Sequence, residues 1–438
     1  MIRRNLTEAL LNALGERPVV LLQGARGTGK STLVASLAAH EHHARHLTFA
    51  DPEILVAARA DPAAFLETLG GPVVLDEVHR APELLSPLRA AVERDPRPGR
   101  MLMIASSSVS AEIGQARKRS RPARGSGAPD SLAARLTDML GERAEVLTLW
   151  PFSQGEIEGA HEGFVDALFS ERLPSLARAE DPWHRVVERI TRGGYPDVVA
   201  HETEVRRRAW FGAYIAALVQ PDTASIEGAA ALPRLLGLLA SRGAARLSIA
   251  EMARGIGLPM PAVRRHLALL EAGFLVHGIA PWRAQGGRRT VGAPRRYVGD
   301  TGLVTYLLVT TPDRLAAEPT VARPTLGVFV LTELRKQLAW SATRAELSYF
   351  RNPSGVEVDV VLEEPRGRLV GIAITTSPTV SPRDFTGLRV LAEITGPRFQ
   401  RGVLLYGGAE TVPFGPKLHA LPVSALWRLG ATPHQAPA

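Results

Sequence analysis

Near the N-terminus, Gly24-Ala25-Arg26-Gly27-Thr28-Gly29-Lys30-Ser31 has the spacing G-x-x-x-x-G-K-[ST]. It follows the apolar run Val19-Val20-Leu21-Leu22 and opens a stretch predicted to be helical from Thr32 to Ala39. Glycines there let the backbone curl so that its amides point at phosphate oxygens, and the helix N-terminus adds partial positive charge. Lys30 then neutralises the β and γ phosphates of ATP, and the Ser31 hydroxyl reaches Mg²⁺. A second run, Val73-Val74-Leu75-Asp76-Glu77, ends in two acids at what would be the carboxyl edge of a sheet. Asp76 is expected in the magnesium shell and Glu77 at the attacking water, with Gly24 through Thr32 cradling the nucleotide.

These residues need a rigid platform. Over the first 160 residues, short apolar runs at Val19–Leu22, Leu47–Phe49, Val73–Leu75, Met101–Ile104 and Val146–Leu149 alternate with helical stretches. Such alternation predicts an α/β domain with a parallel sheet covered on both faces. Residues 111–141 interrupt it with a basic stretch rich in Gly, Ser and Pro, which reads as a mobile insertion.

The chain has 438 residues, 45% of them apolar and 22% charged, a globular composition with room for about three domains at roughly 150 residues each. It contains no cysteine, which excludes disulfides, thiolate metal sites and cysteine nucleophiles and fits the cytoplasm. No apolar run is long enough to span a bilayer, so no membrane partner is expected. The net charge of +8 permits a nucleic-acid partner, although a G+C-rich genome that favours Arg over Lys gives the same balance.

Leu75-Asp76-Glu77-Val78-His79-Arg80-Ala81-Pro82-Glu83-Leu84 resembles the Walker B region of a bacterial and archaeal group of AAA-type P-loop ATPases whose C-terminal domain is of unknown function. The resemblance continues through Ile104–Ser108, Arg143–Ser153, Gly193-Gly194-Tyr195-Pro196 and Asp300-Thr301-Gly302-Leu303, and so covers most of the chain. It implies that Ser106 senses the γ-phosphate, with a helix-capping serine as the alternative. It also implies an arginine finger, Arg143 or Arg135, reaching a neighbouring subunit of a homo-oligomer, with a surface ion pair as the alternative for either.

Residues 161–239 are predicted helical, and 240–310 place two helices around Gly257-Leu258-Pro259 before an extended segment, an order that resembles a winged helix-turn-helix. Arg264, Arg265 and His266 fall on its second helix, and Arg288, Arg289, Arg295 and Arg296 fall where a wing would be, as contact with duplex DNA requires. Winged helices also serve as packing or protein-binding modules.

Residues 311–430 resemble a restriction-endonuclease-like domain: a helix carrying Glu333, a strand carrying Glu357 and Asp359, then Leu369–Ile374. Ala373 and Thr375 stand where an active enzyme of that type carries Glu and Lys, so nuclease activity is expected to be absent. Glu333, Glu357 and Asp359 could together form a weak cation site. Residues 431–438 read as a frayed tail. The leading expectation is an ATP-hydrolysing, DNA-associated protein, and the rival is an ATP-dependent protein-binding switch or scaffold. A small-molecule kinase is disfavoured because no phosphoacceptor or lid motif follows the glycine-rich loop.

Overall fold

In the computed structural model, residues 2–107, 131–176, 182–217, 229–283 and 293–434 are described. Strands β1 (Val19–Ala25), β2 (Arg45–Thr48), β3 (Val73–Asp76), β4 (Met101–Ser107) and β5 (Ala144–Thr148) form one sheet, ordered β2-β3-β4-β1-β5. All of its pairings are parallel. Side chains alternate faces along a strand, and both faces are covered, which is why β1 is apolar throughout Val19–Leu22. Val19 and Leu21 join the core beneath the helix Leu85–Arg94, whereas Val20 and Leu22 pack with Leu33, Val34 and Leu37 of the helix Lys30–His40. Parallel pairing brings the carboxyl ends of β1, β3 and β4 to one edge, and the register sets Gly24 beside Ser106.

Beyond β5 the short β6 (Ala160–His161) leads into helices Phe164–Phe169, Trp183–Arg192, Pro196–Ala200 and Glu204–Ala217. Helices Leu232–Arg242, Ile249–Ile256 and Met260–Ala272 precede a hairpin of β7 (Val276–Pro281) and β8 (Arg295–Val298). Ser248 starts the middle helix with a reciprocal capping box to Glu251, and Gly257 ends it in a left-handed cap. Then come β9 (Glu346–Arg351), β10 (Glu357–Glu363), β11 (Leu369–Ile374), β12 (Phe399–Tyr406), β13 (Val412–Pro413) and β14 (Leu418–Pro422). With the hairpin they make one eight-stranded sheet, ordered β13-β14-β12-β11-β10-β9-β7-β8. β7 enters by parallel pairing of Ala280 with Ser348, and one apolar core runs from Phe164 to Leu429, on both sides of the boundary expected between residues 310 and 311.

Two expectations are corrected. Leu132–Leu140, assigned to a mobile insertion, is a helix started by the Ser131 hydroxyl accepting from the Ala134 amide, while residues 111–130 of that stretch lie outside the described residues. The tail does not fray at 431: β15 (Thr432–Pro433) pairs with β6. Among the described residues no helix is long and apolar enough to cross a membrane.

Candidate nucleotide site

The phosphate loop leaves β1 with Gly24, Gly27 and Gly29 all at positive φ. At Gly24 a Cβ atom would stand 2.3 Å from the Leu149 carbonyl oxygen, so backbone geometry and close approach both demand glycine. Lys30 begins the following helix and is buried, its Nζ donating to the carbonyls of Gly24 at 2.9 Å and Ala25 at 2.8 Å. Burial pulls the Lys30 ammonium down to about 8, although Glu77 and Asp76 push the other way. Thr28 Oγ1 closes the loop on the Ala25 carbonyl at 3.0 Å.

From the neighbouring strand, the Asp76 Oδ2 accepts from the Ser31 hydroxyl at 2.9 Å, and its Oδ1 accepts from the Glu77 amide at 2.8 Å. A hydroxyl and a carboxylate held together are hard oxygen donors suited to Mg²⁺. Glu77 is one of the few non-glycine residues in the left-handed region, with φ 59°, a conformation that turns its side chain off the strand direction and stores strain at this edge. His79 Nε2 lies 3.2 Å from Glu77 Oε2, and burial lowers the His79 imidazole although Glu77 pushes the other way. His46 Nε2 lies 3.8 Å from Asp76 Oδ2. Neither histidine was expected at the site; His79 sits inside the recognisable block, whereas nothing in the sequence pairs His46 with β3. A cavity of about 830 Å³ extends from Thr28, Gly29 and Thr32 along Ser36 to Arg4 and Phe152.

Residues 16–124 match the family model described as "AAA domain". The N-terminal domain is an AAA-type P-loop ATPase domain. It is followed by matches to two models described as domains of unknown function, DUF8612 over residues 184–314 and DUF4143 over 326–426. Uncharacterized protein Rv2008c of Mycobacterium tuberculosis and uncharacterized protein Mb2031c of Mycobacterium bovis are each 29% identical over 98% of this chain and 85% of their own length. Among solved structures, the Walker-type ATPase paby2304 of Pyrococcus abyssi is 15% identical over 70% of this chain and 96% of its own, with a TM-score of 0.38. A RuvB variant of Thermotoga maritima is 17% identical over 67% and 91%, with a TM-score of 0.30. The family match supports ATP binding.

The ATPase domain is locked to the C-terminal body by a buried polar seam. Lys336 bonds Glu333 at 2.6 Å and the Phe152 carbonyl at 2.9 Å, and the other Glu333 oxygen accepts from the Gln154 amide at 2.9 Å. Asn5 bonds both Glu156 and Glu162 at 2.7 Å. Burial, then the nearby Glu333, pushes the Glu162 carboxyl well above its usual range. Two recognisable blocks meet at the buried Asp300, which accepts from the amides of Gly194 at 2.8 Å and Leu303 at 3.0 Å.

Arg143 of the ATPase domain lies just before β5, paired with Glu93 at 3.6 Å. Because Ala144 is in register with Val19, Arg143 lies toward the edge opposite the phosphate loop, and Arg135 lies on the helix Leu132–Leu140. Ser106 lies on β4 beside Gly24.

The basic residues expected to contact DNA divide. Arg264 and Arg265 are exposed, and Arg288 and Arg289 lie outside the described residues. His266 is fully buried, its Nδ1 2.6 Å from the Ala262 carbonyl one turn back, because it falls on the apolar face of its helix. Arg295 bonds Glu357 at 2.6 Å and Arg296 bonds Glu271 at 2.9 Å, so both serve the hairpin's own packing. The weak cation site is also corrected: Glu333 belongs to the seam, and Asp359 accepts from Arg323 Nη2 through both oxygens, at 3.0 and 3.1 Å.

Proposed function

We propose that the chain hydrolyses ATP with Mg²⁺ where β1, the helix Lys30–His40 and β3 meet. The observation that carries this reading is the 2.9 Å bond between Ser31 and Asp76, which joins the two halves of a magnesium shell from separate elements. Binding a triphosphate exchanges the two carbonyl acceptors of Lys30 for phosphate oxygens, and the cavity beyond Thr32 takes the nucleoside. Ser31 and Asp76 would hold Mg²⁺, which would supply charge neutralisation on the triphosphate. Glu77, beside His79, takes a proton from the water that attacks the γ-phosphorus as the bond to the β-γ bridging oxygen breaks. Ser106 beside Gly24 fits a γ-phosphate sensor. An ATPase assay of Lys30→Ala and Glu77→Gln tests this: both lose turnover, and only Glu77→Gln still binds Mg-ATP. Turnover equal to wild type in either variant sinks the assignment.

A second reading, duplex DNA as a partner, rests on Arg264 and Arg265, two adjacent exposed arginines on the second of two helices joined by a tight turn. Its test is the salt dependence of duplex binding. Charge reversal at both positions flattens the slope if they contact phosphates; an unchanged slope leaves the body to act on a protein instead.

A further inference from the structure

The helices Leu232–Arg242 and Pro319–Gln337 and strands β8, β10 and β11 line a second, open cavity of about 440 Å³. Arg242, Arg246, Arg295 and Arg323 line it, against only Glu357 and Asp359. Both carboxylates are committed. Asp359 accepts from Arg323 and from the Ile374 amide at 2.9 Å, while Glu357 accepts from Arg295 at 2.6 Å and from Arg351. The lining therefore holds four guanidinium groups for two carboxylates, a surplus of two positive charges.

One of the four charges is buried and the others are more open to solvent. The Arg295 side chain is 8% exposed and lies 4.2 Å over the Tyr349 ring, so it cannot swing away. Arg242 ends its helix at Gly243, where φ is +56° and a Cβ would stand 2.7 Å from Pro324; that close approach holds the helix end against the cavity wall. Arg323 reaches Asp359 through a single nitrogen, which leaves the rest of its donor fork for a ligand. Pro324, Gly327, Leu331 and Ile374 supply an apolar surface beside these donors.

Surplus positive charge around an open cavity favours an anion, and planar guanidinium groups match phosphate geometry. The volume falls within the roughly 300–1,000 Å³ typical of small-ligand sites. We propose that this cavity binds a phosphate group carried on a body of about mononucleotide size. The source can be a free nucleotide or the phosphorylated end of a strand; the chemistry recognised is the same.

The test uses full-length protein carrying Lys30→Ala, so that the phosphate loop does not contribute, and titrates dTMP and a 5′-phosphorylated oligothymidylate by calorimetry. One binding event per chain is expected, weakened at least about tenfold by Arg242→Gln or Arg323→Gln and strengthened by Asp359→Asn, which removes a competing carboxylate. The exposed Arg242 makes its variant a test that folding does not confound. Tighter binding of dTMP assigns the free nucleotide, and tighter binding of the oligonucleotide assigns the strand end. No heat with either probe, or binding indifferent to Arg242→Gln and Arg323→Gln, overturns the proposal, and either result leaves the ATPase reading intact.

Discussion

The Tyr214 hydroxyl donates to the Arg26 carbonyl at 3.3 Å, so a helix of the C-terminal body holds the phosphate loop directly. The Tyr195 hydroxyl lies 3.2 Å away, and Trp210 stacks on Tyr214 with its ring 3.5 Å from where a Gly27 Cβ would stand. Removing the hydroxyl with Tyr214→Phe is expected to weaken Mg-ATP binding by roughly 1 kcal/mol, about fivefold. Calorimetry on the two proteins reads this, and equal affinities would show that the contact does not hold the loop.

The Lys30 ammonium, lowered to about 8 by burial, links nucleotide binding to pH. A bound triphosphate requires the charged form, so above about pH 8 binding takes up a proton and affinity falls as pH rises. In the free protein the same group makes stability rise from about pH 8 toward the unfolded value near ~10.4, because over that window the unfolded chain binds the proton that the folded chain lacks. Titrations at pH 8.5 in buffers of different ionisation enthalpy should show proton uptake; identical heats would refute the linkage.

Glu333 stabilises the seam between the ATPase domain and the body. Glu333→Gln leaves the buried Lys336 ammonium without its carboxylate, at a cost of about 3–5 kcal/mol. Thermal melts read the loss. If instead the melting temperature holds and a Mg²⁺-dependent stabilisation disappears, Glu333 is a metal ligand.

Arg143 cannot serve its own subunit's nucleotide: it precedes β5 in register with Val19, about 17 Å of strand from Gly24. If it completes a neighbour's site, Arg143→Ala lowers turnover at least about 100-fold with ATP affinity kept, and wild-type specific activity rises with protein concentration. A rate independent of concentration and unchanged in the variant would return Arg143 to its ion pair with Glu93.

The spacing of Gly24 to Ser31 and the apolar strand ending at Asp76 determined the phosphate loop and its sheet, because both depend on local backbone geometry and on a periodicity visible in a short window. The strand runs at Leu47, Met101 and Val146 were legible for the same reason. Tertiary structure alone decided the contacts made across long separations. His46 approaches Asp76 only because β2 pairs with β3, and Tyr214 reaches Arg26 across 188 residues. Arg295 and Asp359 show the same limit: charged residues read as ready for DNA or a metal were already committed, to Glu357 and Arg323. Burying a charge requires a partner, and which partner is available depends on how distant strands and helices pack.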